Sequence, residues 1–92
     1  MKFDWDEGKS KINQDKYGID FETAKNLWLE EDRVEIHAPY PVENRSIIIA
    51  KYRNKLWAAI YTIRDDTIRI ISVRHARKRE VNLYEKEKTG NK

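Results

Sequence analysis

The sequence predicts an α+β domain in which helices pack on an antiparallel β-sheet. Three observations support this prediction. Near the start of the chain, two segments have the end signals and apolar spacing of helices, one over about 7–17 and one after Asp20. Apolar runs between Arg45 and Val73 are typical of strands joined by tight turns, and a basic helical pattern follows over about 75–88. Because 92 residues leave no room for a second core, we expect a single domain, 1–92.

End signals and spacing identify the two N-terminal helices. Asp6 can cap the first helix, and Gly18 can terminate it. Asp20 can cap the second helix, whose apolar residues fall on one core-facing stripe: Phe21, Ala24, Leu27 and Trp28. A short edge strand is possible over Phe3–Trp5, although three residues carry little information.

The middle of the chain predicts one separate strand and then a meander of three. The segment Val34–His37 alternates in polarity and precedes a proline-containing loop over 38–44. The three meander strands are predicted over Ser46–Arg53, Leu56–Arg64 and Thr67–Val73. The second of these is apolar on both faces, which predicts a central strand covered on both sides. In the third, strict alternation places Arg69 and Arg74 on opposite faces.

Charge is distributed unevenly along the chain. The net charge is +3, but residues 1–46 carry −4 and residues 47–92 carry +7. A basic half on a small domain favours a polyanionic partner, most simply nucleic acid. There is no cysteine, which excludes disulfides and thiolate metal sites and fits a cytoplasmic location. The chain has no signal-peptide pattern, and its longest aliphatic run is far too short to span a membrane, so we expect no membrane partner.

Basic residues around the last strand are the main candidates for contact with phosphate. Arg69 and Arg74 lie near the two ends of this strand, and arginine offers a planar fork of donors that suits phosphate. The other candidates for phosphate binding are Lys9, Lys16, Arg45 and Arg77. A solvated surface helix explains the same run of charge equally well, so the pattern leaves both interpretations open.

Three motifs occur at the start, middle and end of the chain. The first comprises Trp5-Asp6, Lys9, Asn13, Lys16-Tyr17-Gly18, Phe21 and Ala24. The second is Glu43-Asn44-Arg45, which precedes the β-rich region. The third comprises Arg69-Ile70-Ile71-Ser72, Arg74, Ala76, Glu80 and Tyr84. In this order and spacing the chain resembles the BrnT-type ribonuclease toxins of bacterial type II toxin–antitoxin systems.

The resemblance implies a RelE-like fold, also called the microbial ribonuclease fold, and RNA cleavage that inhibits translation. It also implies a co-encoded antitoxin, usually with a ribbon-helix-helix domain, that neutralises the toxin and binds operator DNA with it. One departure concerns Tyr17, where the family usually has histidine. If that histidine transfers protons, this chain would be a weakened or inactive RNA- or antitoxin-binding domain. If it only packs or hydrogen-bonds, tyrosine could replace it in an active enzyme.

RNA can be cleaved without a metal when the ribose 2′-hydroxyl attacks the adjacent phosphate. The enzyme then removes one proton, stabilises the negative phosphorane and protonates the 5′-oxygen. No residue cluster has metal-ligand spacing, so we expect no metal or other cofactor. We assign Arg69 and Arg74 to charge stabilisation, and the candidate proton carriers are Tyr17, His75, Glu80 and Tyr84. Two of these carriers also have structural interpretations, because Glu80 could orient an arginine through an ion pair and Tyr84 could lie in the core.

Overall fold

A computed structural model describes residues 2–37 and 45–89 of the chain. The elements are β1 (Lys2–Asp4), α1 (Glu7–Tyr17), α2 (Phe21–Ala24), a 3₁₀ helix (Lys25–Leu29), β2 (Val34–His37), β3 (Arg45–Tyr52), β4 (Lys55–Arg64), β5 (Thr67–His75) and α3 (Lys78–Thr89). The strands form one sheet with the order β1-β5-β4-β3-β2. The predicted loop over 38–44 lies outside the described residues. None of the helices described is long and apolar enough to cross a membrane.

The sheet is mixed, so the prediction of an antiparallel sheet was wrong for one strand. Strands β2 to β5 pair antiparallel in sequence order, as the meander pattern predicts. Strand β1 instead pairs parallel with β5, with Phe3 opposite Ile68. A parallel pair needs a long connection, and here most of the chain lies between its two strands. Nothing in the three residues of β1 could indicate so distant a partner.

Both predicted N-terminal helices begin at their predicted caps. The Asp6 side chain accepts a hydrogen bond from the Lys9 N–H at 2.9 Å, and Gly18 ends α1 in the left-handed region with φ 82°. The Asp20 side chain accepts from the Thr23 N–H at 2.8 Å, and this hydrogen bond lowers the pKa of Asp20. The second helix is not regular throughout, because after one α-helical turn it tightens into the 3₁₀ helix.

The main hydrophobic core lies between one face of the sheet and the N-terminal helices. Its buried residues are Ile19, Phe21, Ala24, Leu27, Ile48, Ala50, Trp57, Ala59, Tyr61, Ile68, Ile70 and Val73. Strand β4 is the middle strand of the sheet. Two adjacent residues of this strand, Ala58 and Ala59, are both fully buried. Since adjacent residues of a strand point to opposite faces, β4 is covered on both sides, as predicted.

A buried polar residue attaches α1 to the sheet. The Asn13 side chain donates to the carbonyl of Ile19 at 2.9 Å and accepts from the N–H of Val73 at 3.1 Å. The Ser10 hydroxyl accepts from the Phe21 N–H at 2.9 Å. Each such hydrogen bond contributes about 1 kcal/mol net, but a buried backbone group without its partner costs about 1–3 kcal/mol. These contacts explain why α1, which has few apolar residues, packs alongside β5.

Strand β5 contains a β-bulge in its middle. Ser72 pairs with Ile60 of β4, whereas the next residue of β4, Tyr61, pairs with Ile70. At this point β5 has one residue more than β4, and Ile71 is the extra residue.

The bulge changes which arginines share a face of the sheet. Ile70 and Val73 both lie in the main core, although strict alternation would separate them. By the same shift, Arg69 and Arg74 lie together on the opposite face, which we call the second face. The prediction of opposite faces was wrong because the bulge moves the alternation by one residue.

Strand β5 and α3 meet later in the chain than predicted. The helix was predicted from about 75, but His75 still pairs with Trp57 in the sheet. The Ala76 N–H then donates to the carbonyl of Leu56 at 3.0 Å, which extends this pairing. The helix begins at Lys78 and packs against β2 and β3 on the second face.

Candidate active site

A groove on the second face collects basic residues from four elements. It lies where β3 and β5 begin and where β1 and β4 end, and its volume is about 830 Å³. Its basic lining residues are Lys9, Arg45, Arg64 and Arg69, and its acidic ones are Asp4 and Asp65. We call this the Arg69 groove. Arg45 pairs with Thr62, and Thr62 pairs with Arg69, so these three residues form a row across β3, β4 and β5.

Arg69 is held loosely at the edge of this groove. One terminal nitrogen, Nη1, donates to Oδ2 of Asp4 at 2.9 Å, and the Arg69 side chain is 49% exposed. The parallel pairing of β1 places Asp4 directly beside Arg69. An ion pair this exposed contributes about 0–1 kcal/mol, because water and salt screen it. A phosphate entering the groove could therefore replace Asp4 at little energetic cost.

Unlike Arg69, Arg74 is held tightly, by Glu80. Its two terminal nitrogens donate to the two carboxylate oxygens of Glu80 at 2.7 and 2.8 Å, and the side chains are 15% and 11% exposed. The hydrogen bonds to Glu80 raise the pKa of Arg74, and those from Arg74 lower the pKa of Glu80. Glu80 also accepts from the Arg77 N–H at 2.8 Å, as glutamate does at the third position of a helix. The ion-pair interpretation of Glu80 is confirmed.

Tyr84 lies in the interior, one helical turn after Glu80. It is 1% exposed, and its hydroxyl donates to the carboxylate of Glu30, 3.1 Å and 3.2 Å from the two oxygens. Burial and the contact with Glu30 raise the pKa of Tyr84 to about 12. Glu30 also accepts from the Lys51 N–H at 2.9 Å, so this carboxylate connects α3 to β3. The core interpretation of Tyr84 is confirmed.

The predicted site residues thus separate along β5. Lys9, Arg45 and Arg69 come together in the groove, whereas Arg74, Glu80 and Arg77 lie where β5 gives way to α3. Four residues of β5 lie between the two arginines, which places their backbones roughly 16 Å apart at about 3.3 Å per residue. In the described parts of the chain, no three His, Cys, Asp or Glu side chains come together to hold a metal ion.

Comparison with known protein families identifies the family of this chain. A family model described as "Ribonuclease toxin, BrnT, of type II toxin-antitoxin system" matches residues 5–80, which is most of the chain. The chain belongs to the BrnT family of ribonuclease toxins. No curated protein matches it. The matched span includes the basic residues of the Arg69 groove and the Arg74–Glu80 pair, whereas Tyr84 follows it. Membership of this toxin family implies a cognate antitoxin as partner.

Tyr17 lies within electrostatic range of Arg74. Tyr17 is the last residue of α1 and acts electrostatically on the Arg74 guanidinium, whose pKa it helps to raise. The Tyr17 side chain is partly buried against the core, and the Lys16 ammonium lies 5.5 Å from the centroid of its ring. Of the candidate proton carriers, Glu80 therefore contacts Arg74 directly, and Tyr17 interacts with it only electrostatically.

Sequence reasoning did not identify three groove residues in this BrnT-family chain. Arg64 ends β4 just before an aspartate turn, and this strand-end position was its only signal. Thr62 carries no pattern of its own and enters the site through its pairing with Arg69. Asp4 belongs to the short parallel strand, so its place beside Arg69 depends on a contact between distant parts of the chain.

Proposed function

We propose that this BrnT-family chain is an endoribonuclease whose Arg69 groove holds the phosphate backbone of RNA at the point of cleavage. The observation that carries the proposal is the row formed by Arg45, Thr62 and Arg69, flanked by Lys9 and Arg64 on the second face. Arginine side chains bind phosphate oxygens through charge-assisted hydrogen bonds and stay charged at any working pH. Their attachment to three neighbouring strands fixes their spacing, as a preorganised site requires.

The proposed reaction is metal-independent. The ribose 2′-oxygen forms a bond to phosphorus, and the bond from phosphorus to the 5′-oxygen breaks. The products are a 2′,3′-cyclic phosphate and a 5′-hydroxyl, with one proton leaving the 2′-oxygen and one reaching the 5′-oxygen. Arg69 and its basic neighbours stabilise the extra negative charge on the phosphorane, where one well-placed donor is worth about 10²–10³ in rate.

We assign a supporting role to the Arg74–Glu80 pair. Its geometry and low exposure favour a clamp between the end of β5 and the start of α3. A carboxylate whose pKa is lowered by an arginine is a weak base, which argues against proton abstraction by Glu80. The remaining donors of Arg74 and those of Arg77 would contact the phosphate backbone further along the RNA. The hydroxyl of Tyr84 is directed to Glu30, which favours a structural role.

We further propose the biological context that the family resemblance implies. RNA cleavage in the cytoplasm would inhibit translation, on a RelE-like fold. A co-encoded ribbon-helix-helix antitoxin would neutralise the toxin, and the two together would bind operator DNA. The +7 charge of residues 47–92 supports an RNA substrate.

A second candidate function is RNA or antitoxin binding without cleavage. The specific observation that favours it is Tyr17, which lies within electrostatic range of Arg74 and occupies the position where the family resemblance implies a histidine. Tyrosine titrates near pH 10 and is a poorer proton carrier at neutral pH than histidine, which titrates near 6.5. On this view the Arg69 groove would still bind phosphate, but the protein would not cleave RNA.

A cleavage assay separates the two candidates. Purified protein is incubated with single-stranded RNA in the presence of EDTA, and the ends of any products are identified by mass spectrometry. Cleavage with 2′,3′-cyclic phosphate ends, together with no cleavage of 2′-O-methyl RNA, supports the metal-independent ribonuclease. Salt-dependent binding without products supports the second candidate. Cleavage that EDTA abolishes would contradict the proposed mechanism.

A further inference from the structure

An exposed aromatic stack lies at the opposite end of β5 from the Arg69 groove. The rings of Trp57 and His75 are stacked, with centroids 4.3 Å apart and an interplanar angle of 21°. Trp57 is 6% exposed and belongs to the main core, whereas His75 is exposed. One side of the His75 ring therefore rests on Trp57, and solvent reaches the other side.

The stack is rigid for a surface feature. Trp57 and His75 are paired residues of adjacent strands, so the sheet itself fixes their separation. The indole N–H of Trp57 donates to the carbonyl of Tyr52 at 3.3 Å, which fixes the orientation of the Trp57 ring. A ligand that stacks on His75 would meet a ring already in place, and little side-chain entropy would be lost on binding.

Basic residues are frequent in the two segments that meet at this stack. Residues 52–57 and 74–80 contain six lysines and arginines and one acidic residue, Glu80, which is paired with Arg74. They lie together because the Trp57–His75 pair joins the two segments. The Arg53 guanidinium lies 5.1 Å from the centroid of the Tyr52 ring, which adds a second aromatic surface to the same end of the sheet.

We propose that the Trp57–His75 stack is a platform on which one base of single-stranded RNA stacks, while the neighbouring cations contact its phosphates. Aromatic and histidine rings beside basic side chains are the features with which proteins bind unpaired nucleotides. The proposal rests on the proposed function for its choice of RNA. The Trp57–His75 stack lies on the main-core face of the sheet, whereas Arg69 lies on the second face, so one RNA strand bound at both sites would pass around the sheet. The platform would therefore position a base several nucleotides away from the cleaved bond.

The test measures binding separately from cleavage. Affinity for a short 2′-O-methyl RNA strand, which has no 2′-hydroxyl to attack, is measured by fluorescence anisotropy. His75→Ala should weaken binding roughly 5- to 150-fold, the range measured for loss of one base-stacking side chain. His75→Phe keeps a flat ring without the imidazole nitrogens and should bind nearly as the wild type does. His37→Ala, which changes the only other histidine, is the matched control and should leave the affinity unchanged.

A second measurement distinguishes base stacking from a general effect on the fold. Each nucleotide of the strand is replaced in turn by an abasic one. The wild type should lose affinity sharply at one position, and His75→Ala should show no further loss there, as a double-mutant cycle requires for a direct contact. Equal loss in both proteins, or His75→Phe binding as weakly as His75→Ala, would overturn the platform.

The outcomes for the platform and for the ribonuclease are separable. If RNA is cleaved but His75→Ala binds as the wild type does, the platform is wrong and the ribonuclease proposal stands. If binding depends on the ring of His75 but no RNA is cleaved, the platform stands and the ribonuclease proposal fails. A wild-type protein that does not bind the strand would overturn the platform.

Discussion

Replacing Arg74 with alanine should destabilise the fold itself, whatever its effect on RNA. The substitution leaves the Glu80 carboxylate without its two bonds of 2.7 and 2.8 Å, at a site where that side chain is only 11% exposed. Removing one partner of a fully buried ion pair costs about 3–5 kcal/mol. Because Glu80 keeps the Arg77 N–H and some contact with water, we expect a loss of about 2–3 kcal/mol in the free energy of unfolding. For a domain of this size that corresponds to a fall in Tm of roughly 10–20 °C.

Urea denaturation at pH 7 measures this loss. The matched control is Arg33→Ala, which breaks the ion pair with Glu35, where the side chains are 37% and 33% exposed. An exposed pair of this kind should change stability by about 0–1 kcal/mol. A double variant, Arg74→Met with Glu80→Leu, removes both charges and should recover most of the loss. If Arg74→Ala unfolds at the same urea concentration as Arg33→Ala, the clamp between β5 and α3 is not a stabilising contact and the reasoning is refuted.

Three further predictions concern pH, packing and chemistry. Because the folded pKa of Glu80 lies below its ordinary value of 4.5, the stability from its pair with Arg74 should be present above that value and lost as the pH falls through the folded pKa. The stability difference between wild type and Arg74→Ala should therefore shrink in urea titrations at acidic pH, and a difference independent of pH would contradict this. Asn13→Ala leaves the Val73 N–H unpaired and should cost about 1–3 kcal/mol by thermal denaturation, whereas an unchanged Tm would contradict the proposed anchor. If the wild type does not cleave RNA because it lacks the histidine, Tyr17→His should produce measurable cleavage in the same assay, and RNA left intact by Tyr17→His would contradict that explanation.

Local signals predicted most of the fold. Asp6, Gly18 and Asp20 mark helix ends because a cap depends on residues one to four positions away. The predicted strand Val34–His37 matches β2, and the three meander strands agree with β3, β4 and β5 to within one or two residues. The start of α3 was less accurate, because the pairing of His75 with Trp57 outweighs the local helical pattern.

The arrangement of the site depends on contacts that no local pattern contains. The bulge at Ile71 is visible only as a pairing between two strands, yet it decides that Arg69 and Arg74 share a face. The place of Asp4 beside Arg69 depends on a parallel contact across most of the chain. Sequence reasoning treated the candidate residues as one site, whereas the structure separates them into a groove and a clamp.

The most direct test of the central claim is expression of the chain without an antitoxin, with growth and total RNA followed over time. Wild type, Arg69→Ala and the control Arg33→Ala are compared at matched abundance. Arg69 is half exposed and its ion pair is weak, so its replacement should not unfold the protein. We predict growth arrest with RNA breakdown for the wild type and for Arg33→Ala, and for Arg69→Ala continued growth with cleavage reduced about 10²–10³-fold. RNA breakdown by Arg69→Ala at the wild-type rate would contradict the assignment of the groove, and intact RNA in all three cultures would contradict the ribonuclease activity itself.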